Sequence, residues 1–477
     1  MILLLELRLL KFKKRKMKSN LNKKLYGVLG LARSGIATVE FLIKNHISFI
    51  AWDDNEQTKN KLLEQFPGVV LVDINDKKWL EIDCLVISPG IPTTFPRLHP
   101  LVAILRAHYI PIICDIALLY KANNLAKFIV ITGTNGKSTT TALIGHILKT
   151  NKVKTEVGGN IGIGALALAP LQKEGVYVIE ASSYQLELLE NNDCHFNISV
   201  LLNITPDHLE RHNNMGNYIK AKCNIFNNQS KQDCAIISVD NPITKEIYHR
   251  LKSEKKIGTI IPISTKQKLE DGISIINQQL EFKDISIALP SLSHLKGDHN
   301  AENIAASYGA AQFLELNSQQ IINAIISFPG LDHRLQFVDR YKNIVFFNDS
   351  KGTNAESTEK ALLSFTKNIY WIVGGQPKTE GIKSLAPLFN RVKHAFIIGD
   401  AQEEFAETIK NLIPYTKAQN LANAFKLATE MALIDDSSQD VIILLSPACA
   451  SWDQWKDFEE RGRAFCNFVK EFLASHR

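Results

Sequence analysis

Long apolar runs are what this chain of 477 residues lacks. No stretch approaches the roughly 18 uninterrupted apolar residues of a candidate spanning helix, so none is expected. Cysteine is scarce: seven residues, at positions 84, 114, 194, 223, 234, 449 and 466, with no Cys-x-x-Cys pair. An odd, scattered set argues against a disulfide framework and a cysteine zinc site, and for a reducing cytosol. Internal repeats and low-complexity tracts are missing outside the N-terminal tail. With 45% hydrophobic and 22% charged residues, the composition is that of a soluble globular protein. The length calls for about two to four domains.

Excess positive charge is missing from the body as well. The formal net charge is +6, but residues 1–24 hold nine cations against Glu6, a balance of +8 that leaves −2 for the rest. The folded body is therefore not a polybasic nucleic-acid binder. The tail runs apolar first and basic second, the reverse of a secretory signal, and has no small-residue cleavage site. A membrane-surface helix is one reading of it. A disordered extension over 1–24 is the reading adopted.

What the chain does have is the segment Ile129-Val-Ile-Thr-Gly-Thr-Asn-Gly-Lys-Ser-Thr-Thr. An apolar run ends in a glycine-rich turn, and the turn ends in Gly136-Lys137-Ser138. Backbone N–H groups of such a turn, with the following helix N-terminus, cradle phosphate oxygens. Lys137 then reaches the outer phosphates and the Ser138 hydroxyl holds Mg²⁺. In the common Gly-x-x-x-x-Gly-Lys-Ser/Thr spacing the first glycine would fall at Ile131. Here only Thr134 and Asn135 separate Gly133 from Gly136, so the loop is a shortened P-loop. That shortening points away from ordinary GTPases and kinases.

Three αβ blocks are expected. The first has strands at Leu25–Gly30, Ile47–Trp52 and Cys84–Ser88. The second opens with the P-loop strand at about Lys127 and continues with Val176–Ile179, Ile198–Leu202 and Cys234–Ser238. Its stretch 255–290 alternates and reads as a small antiparallel excursion. Phe328-Pro329-Gly330 looks like a hinge. The third block has strands at Ile344–Phe347, Tyr370–Val373, Ala395–Ile398 and Val441–Leu445, and a closing helix from about Asp453. Strands alternating with helices imply parallel sheets that bind ligands at the strands' C-terminal ends.

Several strand tips carry chemistry. Gly30-Leu-Ala-Arg-Ser-Gly35 resembles a dinucleotide fingerprint, with Asp53 at ribose distance, but Ala32 replaces the middle glycine. A nicotinamide or flavin site is disfavoured; another nucleotide-binding turn, or a packing turn, stays open. Glu180 ends a strand beside the P-loop, where a hard cation prefers oxygen ligands. Thr205-Pro-Asp-His208 follows the next strand; His208 could bind a metal, hold phosphate or be a satisfied loop histidine. Tyr218 and Lys222 share one helix face at i, i+4, which leaves open a lysine on a solvated face. Asn348–Asn354, Gly374–Lys378 and Ser446–Ser451 should line one rim. They offer an acid, two lysines and hydroxyls to a small anionic or zwitterionic substrate.

Taken together, these motifs resemble the Mur ligase family over roughly residues 25–475. Gly133-Thr-Asn-Gly-Lys-Ser138 has the family's short loop form, and Asp298-His-Asn-Ala-Glu-Asn303 and Leu331-Asp-His-Arg334 match its adenine- and phosphate-side segments. Ser88-Pro-Gly-Ile91, Gly158–Gly162, Glu180–Glu187, Asn348–Asn354 and Ser446–Ser451 point to the branch that adds D-glutamate. The Asp-Asn-Pro-Arg segment of the diaminopimelate-adding type is missing.

The resemblance implies an α/β fold of three domains. These are a Rossmann-like UDP-binding domain (25–125), a central P-loop ATPase domain with a parallel and a small antiparallel sheet (126–328), and a Rossmann-like C-terminal domain (329–477). It implies ATP and two Mg²⁺ ions as cofactors, and UDP-N-acetylmuramoyl-L-alanine and D-glutamate as substrates of a cytoplasmic monomer. ATP would phosphorylate the alanyl carboxylate, and the amine of D-glutamate would attack the acyl phosphate. Lys137, Lys222 and His208 are the implied catalytic residues. Ser138, Glu180, His208 and a carbamylated Lys222 would hold the metals. Gly133, Thr134, Asn135, Gly136, Thr139, Asn303, Arg334 and Asp349 complete the ATP side. Arg33, Ser34, Asp54, Asn55, Gly90, Asn160 and Ser182 match contacts to the UDP precursor. Lys351, Thr353, Lys378, Ser451 and Phe458 match the D-glutamate pocket. A different member of the family, or a catalytically silent nucleotide-binding module, are the alternatives. The five residues Lys137, Ser138, Glu180, His208 and Lys222 together argue against the silent module.

Overall fold

The computed structural model describes residues 21–476 apart from 191, 291, 293, 294, 296, 297 and 378–380. Most of the expected basic extension lies outside the described residues, as does Lys378; of the extension, the short 3-10 turn Leu21–Lys23 is described. The chain divides into two compact units. The first runs to Leu289 and takes in Ala301–Ile325; the second holds Pro290–Asn300 and Ile326–Arg477. Among the described residues no helix is long and apolar enough to cross a membrane.

The first unit carries two sheets. Strands β1 (Tyr26–Leu29), β2 (Phe49–Trp52), β3 (Cys84–Ile87) and β4 (Ile112–Ile113) pair in the order β2-β1-β3-β4, parallel throughout. Every residue of β1 and β3 is buried, as strands covered on both faces require. The helix Arg33–Lys44 follows a tight turn in which Gly30 has φ +87° and a Cβ on Gly35 would lie 1.8 Å from the Gly30 carbonyl oxygen. Side chains are excluded from both positions. Asp53, at ribose distance in the sequence, closes this turn instead: its Oδ2 accepts from the Leu31 N–H at 2.6 Å.

The second sheet has nine strands: β5 (Lys127–Thr132), β6 (Thr155–Gly159), β7 (Val176–Glu180), β8 (Ile198–Leu201), β9 (Cys234–Ser238), β10 (Thr259–Ser264), β11 (Ile273–Ile276), β12 (Gln279–Phe282) and β13 (Ile285–Ala288). Their order is β13-β12-β11-β10-β9-β8-β5-β7-β6. The antiparallel part expected over 255–290 continues this sheet rather than standing apart. Its first strands, β10 and β11, run parallel, and only the β11–β12 and β12–β13 pairs are antiparallel. The β11–β12 turn places Asn277 and Gln278 at φ +49° and +63°, the left-handed pair that a two-residue hairpin needs. β5 lies between β7 and β8. Its C-terminal tip is therefore a switch point of the sheet, where ligands bind in such folds.

The two sheets share one apolar core. Phe128 of β5 packs its ring 5.4 Å from Tyr120 of the helix Asp115–Ala122, 4.9 Å from Tyr177 and 6.4 Å from Phe196. Truncating such a fully buried ring costs about 3–5 kcal/mol.

The second unit has β14 (Gln336–Tyr341), β15 (Ile344–Asn348), β16 (Ile369–Gly374), β17 (Val392–Ile398), β18 (Tyr415–Gln419) and β19 (Val441–Leu445), in the order β14-β15-β19-β16-β17-β18. Only the β14–β15 pair is antiparallel. Asn348 of β15 and Ile372 of β16 both stand in register with Leu445 of β19. The segments leaving these three strands thus start side by side. The closing helix begins at Phe458 rather than near Asp453, because Asp457 Oδ1 accepts from the Glu460 N–H at 2.8 Å and sets its start.

Candidate active site

The P-loop joins β5 to the helix Lys137–Thr150, whose first residue follows Gly136 with no side-chain cap. The residue before the helix thus brings no capping side chain to its start, and a helix start is where anions are received. Gly136 has φ +84°, and a Cβ there would meet Asn303 Oδ1 at 2.4 Å. Asn303 is 1% exposed, and its Oδ1 accepts from the Thr140 hydroxyl at 3.0 Å. Lys137 curls back, Nζ donating to the carbonyl oxygens of Gly133 (2.9 Å) and Thr134 (2.7 Å). Ser138 and Thr139 are buried at 4% and 8% exposure.

One residue outside the sequence-derived set shapes this loop. Asn203, just past β8, accepts from the Thr134 N–H through its carbonyl oxygen (2.8 Å) and from the Asn135 N–H through Oδ1 (2.8 Å). Its Nδ2 donates to Glu302 Oε2 at 2.8 Å. The Thr134 and Tyr218 hydroxyls lie 3.0 Å apart. The only sequence sign of Asn203 is its place at a strand tip facing the loop.

Lys222 is not on a solvated face. It lies 1% exposed on the helix Met215–Cys223, Nζ donating to Gly133 O at 2.8 Å and to Thr132 Oγ1 at 3.4 Å, 4.7 Å from the Tyr218 ring centroid. Burial, then the charge of Lys137, holds its ammonium well below the usual lysine range. At the tip of β7, beside β5, Glu180 is 2% exposed and lies close enough to Lys222 to act on its charge. Its Oε1 accepts from Asn160 Nδ2 at 3.1 Å, while Oε2 is buried with no hydrogen-bond partner. Buried carboxylate oxygens without partners are costly unless a cation meets them. His208 sits at φ +54°, with Nδ1 3.0 Å from the Tyr184 hydroxyl and its ring 6.5 Å from that of Tyr218. Lys222 and His208 thus flank one tyrosine. Among the described residues no three His, Cys, Asp or Glu side chains gather into a metal cluster.

The precursor-side residues divide. Ser34 donates to Asp115 Oδ2 (3.0 Å), and Gln185 Nε2 donates to Asp115 Oδ1 (2.8 Å). Asp115, which the sequence reading missed, so ties the Gly30–Gly35 turn to the Glu180–Glu187 segment; burial raises its carboxyl above the usual range. Ser182 caps the helix Ser183–Glu187 in a reciprocal box with Gln185. Arg33 and Gly90 are exposed, and a Cβ on Gly90 would meet nothing within 4 Å. Asn55 spends its side-chain oxygen capping the helix Glu56–Gln65, and Asp54 pairs with His99 at 3.1 Å.

In the second unit, Asp349 lies at the β15 tip. It accepts from the Leu335 N–H (3.0 Å) and the Ser446 hydroxyl (2.7 Å), and burial pushes its carboxyl up to about 7. Arg334 lies close enough to oppose that rise. Lys351 Nζ stands 5.5 Å from the Phe458 ring centroid, and the Thr353 N–H donates to Lys351 O at 2.9 Å. Ser451 is 3% exposed. Arg461, also missed from sequence, is 1% exposed and braces all of this. Its guanidinium donates to Ser350 Oγ (2.9 Å) and to the carbonyls of Ser350 (2.8 Å), Cys449 (3.2 Å) and Ala450 (3.4 Å).

Comparison with known proteins fits this geometry. The family described as Mur ligase middle domain matches residues 131–311, and Mur ligase MurD-like, N-terminal domain, matches residues 24–113. The UDP-N-acetylmuramoylalanine–D-glutamate ligase of Rickettsia prowazekii is 43% identical over 93% of this chain and 97% of its own. The ligase of that name from Rhodospirillum rubrum is 40% identical over 93% and 94%. Among solved structures, the UDP-N-acetylmuramate-alanine ligase MurC of Thermotoga maritima superposes with a TM-score of 0.58, at 16% identity over 95% of this chain and 99% of that one. MurF of Acinetobacter baumannii does so at 0.55 and 18%, over 74% and 79%. The first two likenesses are of sequence, the last two of fold alone, and with them this chain belongs to the Mur ligase family.

Proposed function

We propose that this chain is an ATP-dependent ligase that joins D-glutamate to UDP-N-acetylmuramoyl-L-alanine in the cytoplasmic stage of peptidoglycan precursor synthesis, acting as a monomer. The observation that carries the reading is the buried Lys222 amine set on the Gly133 carbonyl of a shortened P-loop. An ordinary P-loop ATPase has no use for a second, desolvated lysine under its phosphate loop.

The residues divide the reaction among them. Gly133 to Gly136 and the start of the helix after them receive the ATP phosphates, with Thr139, Asn303, Arg334 and Asp349 on the nucleotide side. Lys137 leaves its loop carbonyls for the γ-phosphoryl group and stabilises its charge as it passes to the alanyl carboxylate. Ser138, Glu180, His208 and Lys222 would hold two Mg²⁺ ions, and the unpartnered Glu180 oxygen fits a hard cation. When bound, such ions supply neutralisation of phosphoryl oxygens. Lys222 suits the set once carbamylated. Its depressed ammonium favours the neutral amine, whose lone pair attacks CO₂ and loses a proton, giving an anion.

Arg33, Ser34, Asp54, Asn55, Gly90, Asn160 and Ser182 bind the UDP precursor. No packing reason requires glycine at 90, so close approach of a ligand is left as its use. Lys351, Lys378, Thr353 and Ser451 take the carboxylates of D-glutamate, with Phe458 as an apolar wall. The amine then attacks the acyl phosphate and phosphate leaves. Positioning and charge neutralisation do most of the work.

The test offers purified protein ATP, Mg²⁺ and the UDP-muramoyl-alanine precursor with D-Glu, L-Glu, L-Lys or diaminopimelate, and measures phosphate release. Release with D-Glu alone is expected. Release with diaminopimelate but not D-Glu would overturn the assignment.

A further inference from the structure

One polar contact beside the site touches neither the proposed substrates nor the P-loop. Tyr184 lies in the segment that carries Glu180, and its hydroxyl is 3.0 Å from His208 Nδ1. Its backbone is fixed by the Ser182–Gln185 capping box. Its ring is fixed by the His212 ring, 5.5 Å away between centroids, and by the Arg211 guanidinium, 5.3 Å from the ring centroid. His208, by contrast, is a 45% exposed side chain on a left-handed residue at a strand tip. A fixed hydroxyl faces an imidazole whose other polar neighbours, Asp207 and Glu210, are solvent-accessible carboxylates at 3.4 and 3.5 Å.

A neutral imidazole has one N–H and one lone pair, and the nitrogen that meets the better acceptor keeps the proton. Nδ1 faces the Tyr184 oxygen at 3.0 Å and the Glu210 carboxylate at 3.5 Å. Nε2 faces the Asp207 carboxylate at 3.4 Å. The two acceptors on Nδ1, one at full hydrogen-bond distance, outweigh the one on Nε2.

We infer that Tyr184 is a positioning residue, whose hydroxyl oxygen accepts the Nδ1–H of His208 and so keeps the Nε2 lone pair for the cation. This rests on the reading of His208 as a metal-side residue. Metal-binding histidines are held through their other nitrogen in this way, and losing that partner costs about 10–100-fold in metal affinity. The Glu180–Glu187 segment then serves the metal site twice, through Glu180 directly and through Tyr184 at one remove.

Tyr184→Phe keeps the ring and removes the oxygen. Long-range ¹H–¹⁵N spectra of the His208 ring, recorded without cation above the ordinary histidine range, should show Nδ1–H in the native chain. The variant should shift toward Nε2–H, facing Asp207. Mn²⁺ affinity, read by electron paramagnetic resonance with a non-hydrolysable ATP analogue, should fall about tenfold. An Nε2–H tautomer in the native chain, or the same tautomer in Tyr184→Phe, would overturn the inference. His208→Ala separates the two readings. If its Mn²⁺ affinity equals that of the native chain, His208 is not a metal-side residue and the metal half of the inference falls, while the spectra alone decide what holds the ring.

Discussion

The amine of Lys222 donates to the carbonyl oxygen of Gly133 across 2.8 Å, from a side chain that is 1% exposed. A desolvated ammonium that donates to the neutral oxygens of Gly133 and Thr132 is disfavoured, and burial is the largest cause of its depressed protonation. Lys137 is close enough to add to that depression, while Asp207 and Glu180 oppose it.

Replacing this side chain therefore separates a structural lysine from a chemical one. Lys222→Ala should lower ATP-dependent ligation by about 100-fold or more. Formate or acetate should restore part of it by standing where the carbamate would. Phosphate release with and without the added carboxylate is the measurement. An alanine variant with native turnover would reduce Lys222 to a packing residue.

Asp349 makes the pH dependence of stability predictable. Its folded carboxyl is raised to about 7 by burial, against an ordinary value near 3.8. The folded state then holds the proton more tightly than the unfolded state, so the contribution is full below about 4 and is lost as pH rises through about 7. Asp349→Asn keeps the shape and carries no charge. The unfolding free energy of the native chain, from urea titrations, should fall between pH 5 and 8 by an amount on the order of a few kcal/mol, and the variant should lose much of that slope. Parallel slopes for the two proteins would mean that Asp349 ionises freely in the fold.

The strands around these residues were largely legible. Apolar runs bounded by glycine, proline and acid marked β5, β7, β8, β9, β15 and β19, because buried parallel strands leave that pattern. The short strands β4 and β6 and the polar strands β14 and β18 were missed, since they are too short, too glycine-rich or too polar to stand out. Many residues at strand tips could be named from sequence; Asn203, Asp115 and Arg461 were not. Each meets a group far away in sequence: Asn203 the Asn135 N–H, Asp115 the Gln185 side-chain amide, Arg461 the Ser350 hydroxyl and carbonyl. No local pattern records such a reach.

Arg461 shows the consequence. Its guanidinium satisfies carbonyls of Ser350, Cys449 and Ala450 at the tips of β15 and β19, and burial lowers it to about 10. Arg461→Lys supplies one point charge where a planar fork is needed. We expect a loss of about 2–4 kcal/mol in unfolding free energy, and a KM for D-glutamate raised more than that for ATP. Equal effects on both KM values would show that the brace acts on the unit as a whole.

The Arg211–Glu187 pair is the remaining joint that can be tested. Arg211 Nη1 stands 3.2 Å from Glu187 Oε2, and the guanidinium also donates to the Thr93 and Thr94 hydroxyls and the Phe95 carbonyl. Thr94 in turn donates to Glu187 Oε1 at 2.8 Å. Residues 91–95, next to Gly90, are thereby pinned to the helix that starts after His208. Removing one partner of a buried pair strands the other's charge, so Arg211→Met and Glu187→Met should each cost about 3 kcal/mol. The double variant should cost clearly less than the two together, a coupling of about 1 kcal/mol or more. The KM for the UDP precursor should rise in Arg211→Met and recover only in part in the double variant, because the methionines refill the volume without pinning Thr93 and Thr94. Strict additivity in urea titrations would show that the two side chains do not act as a pair.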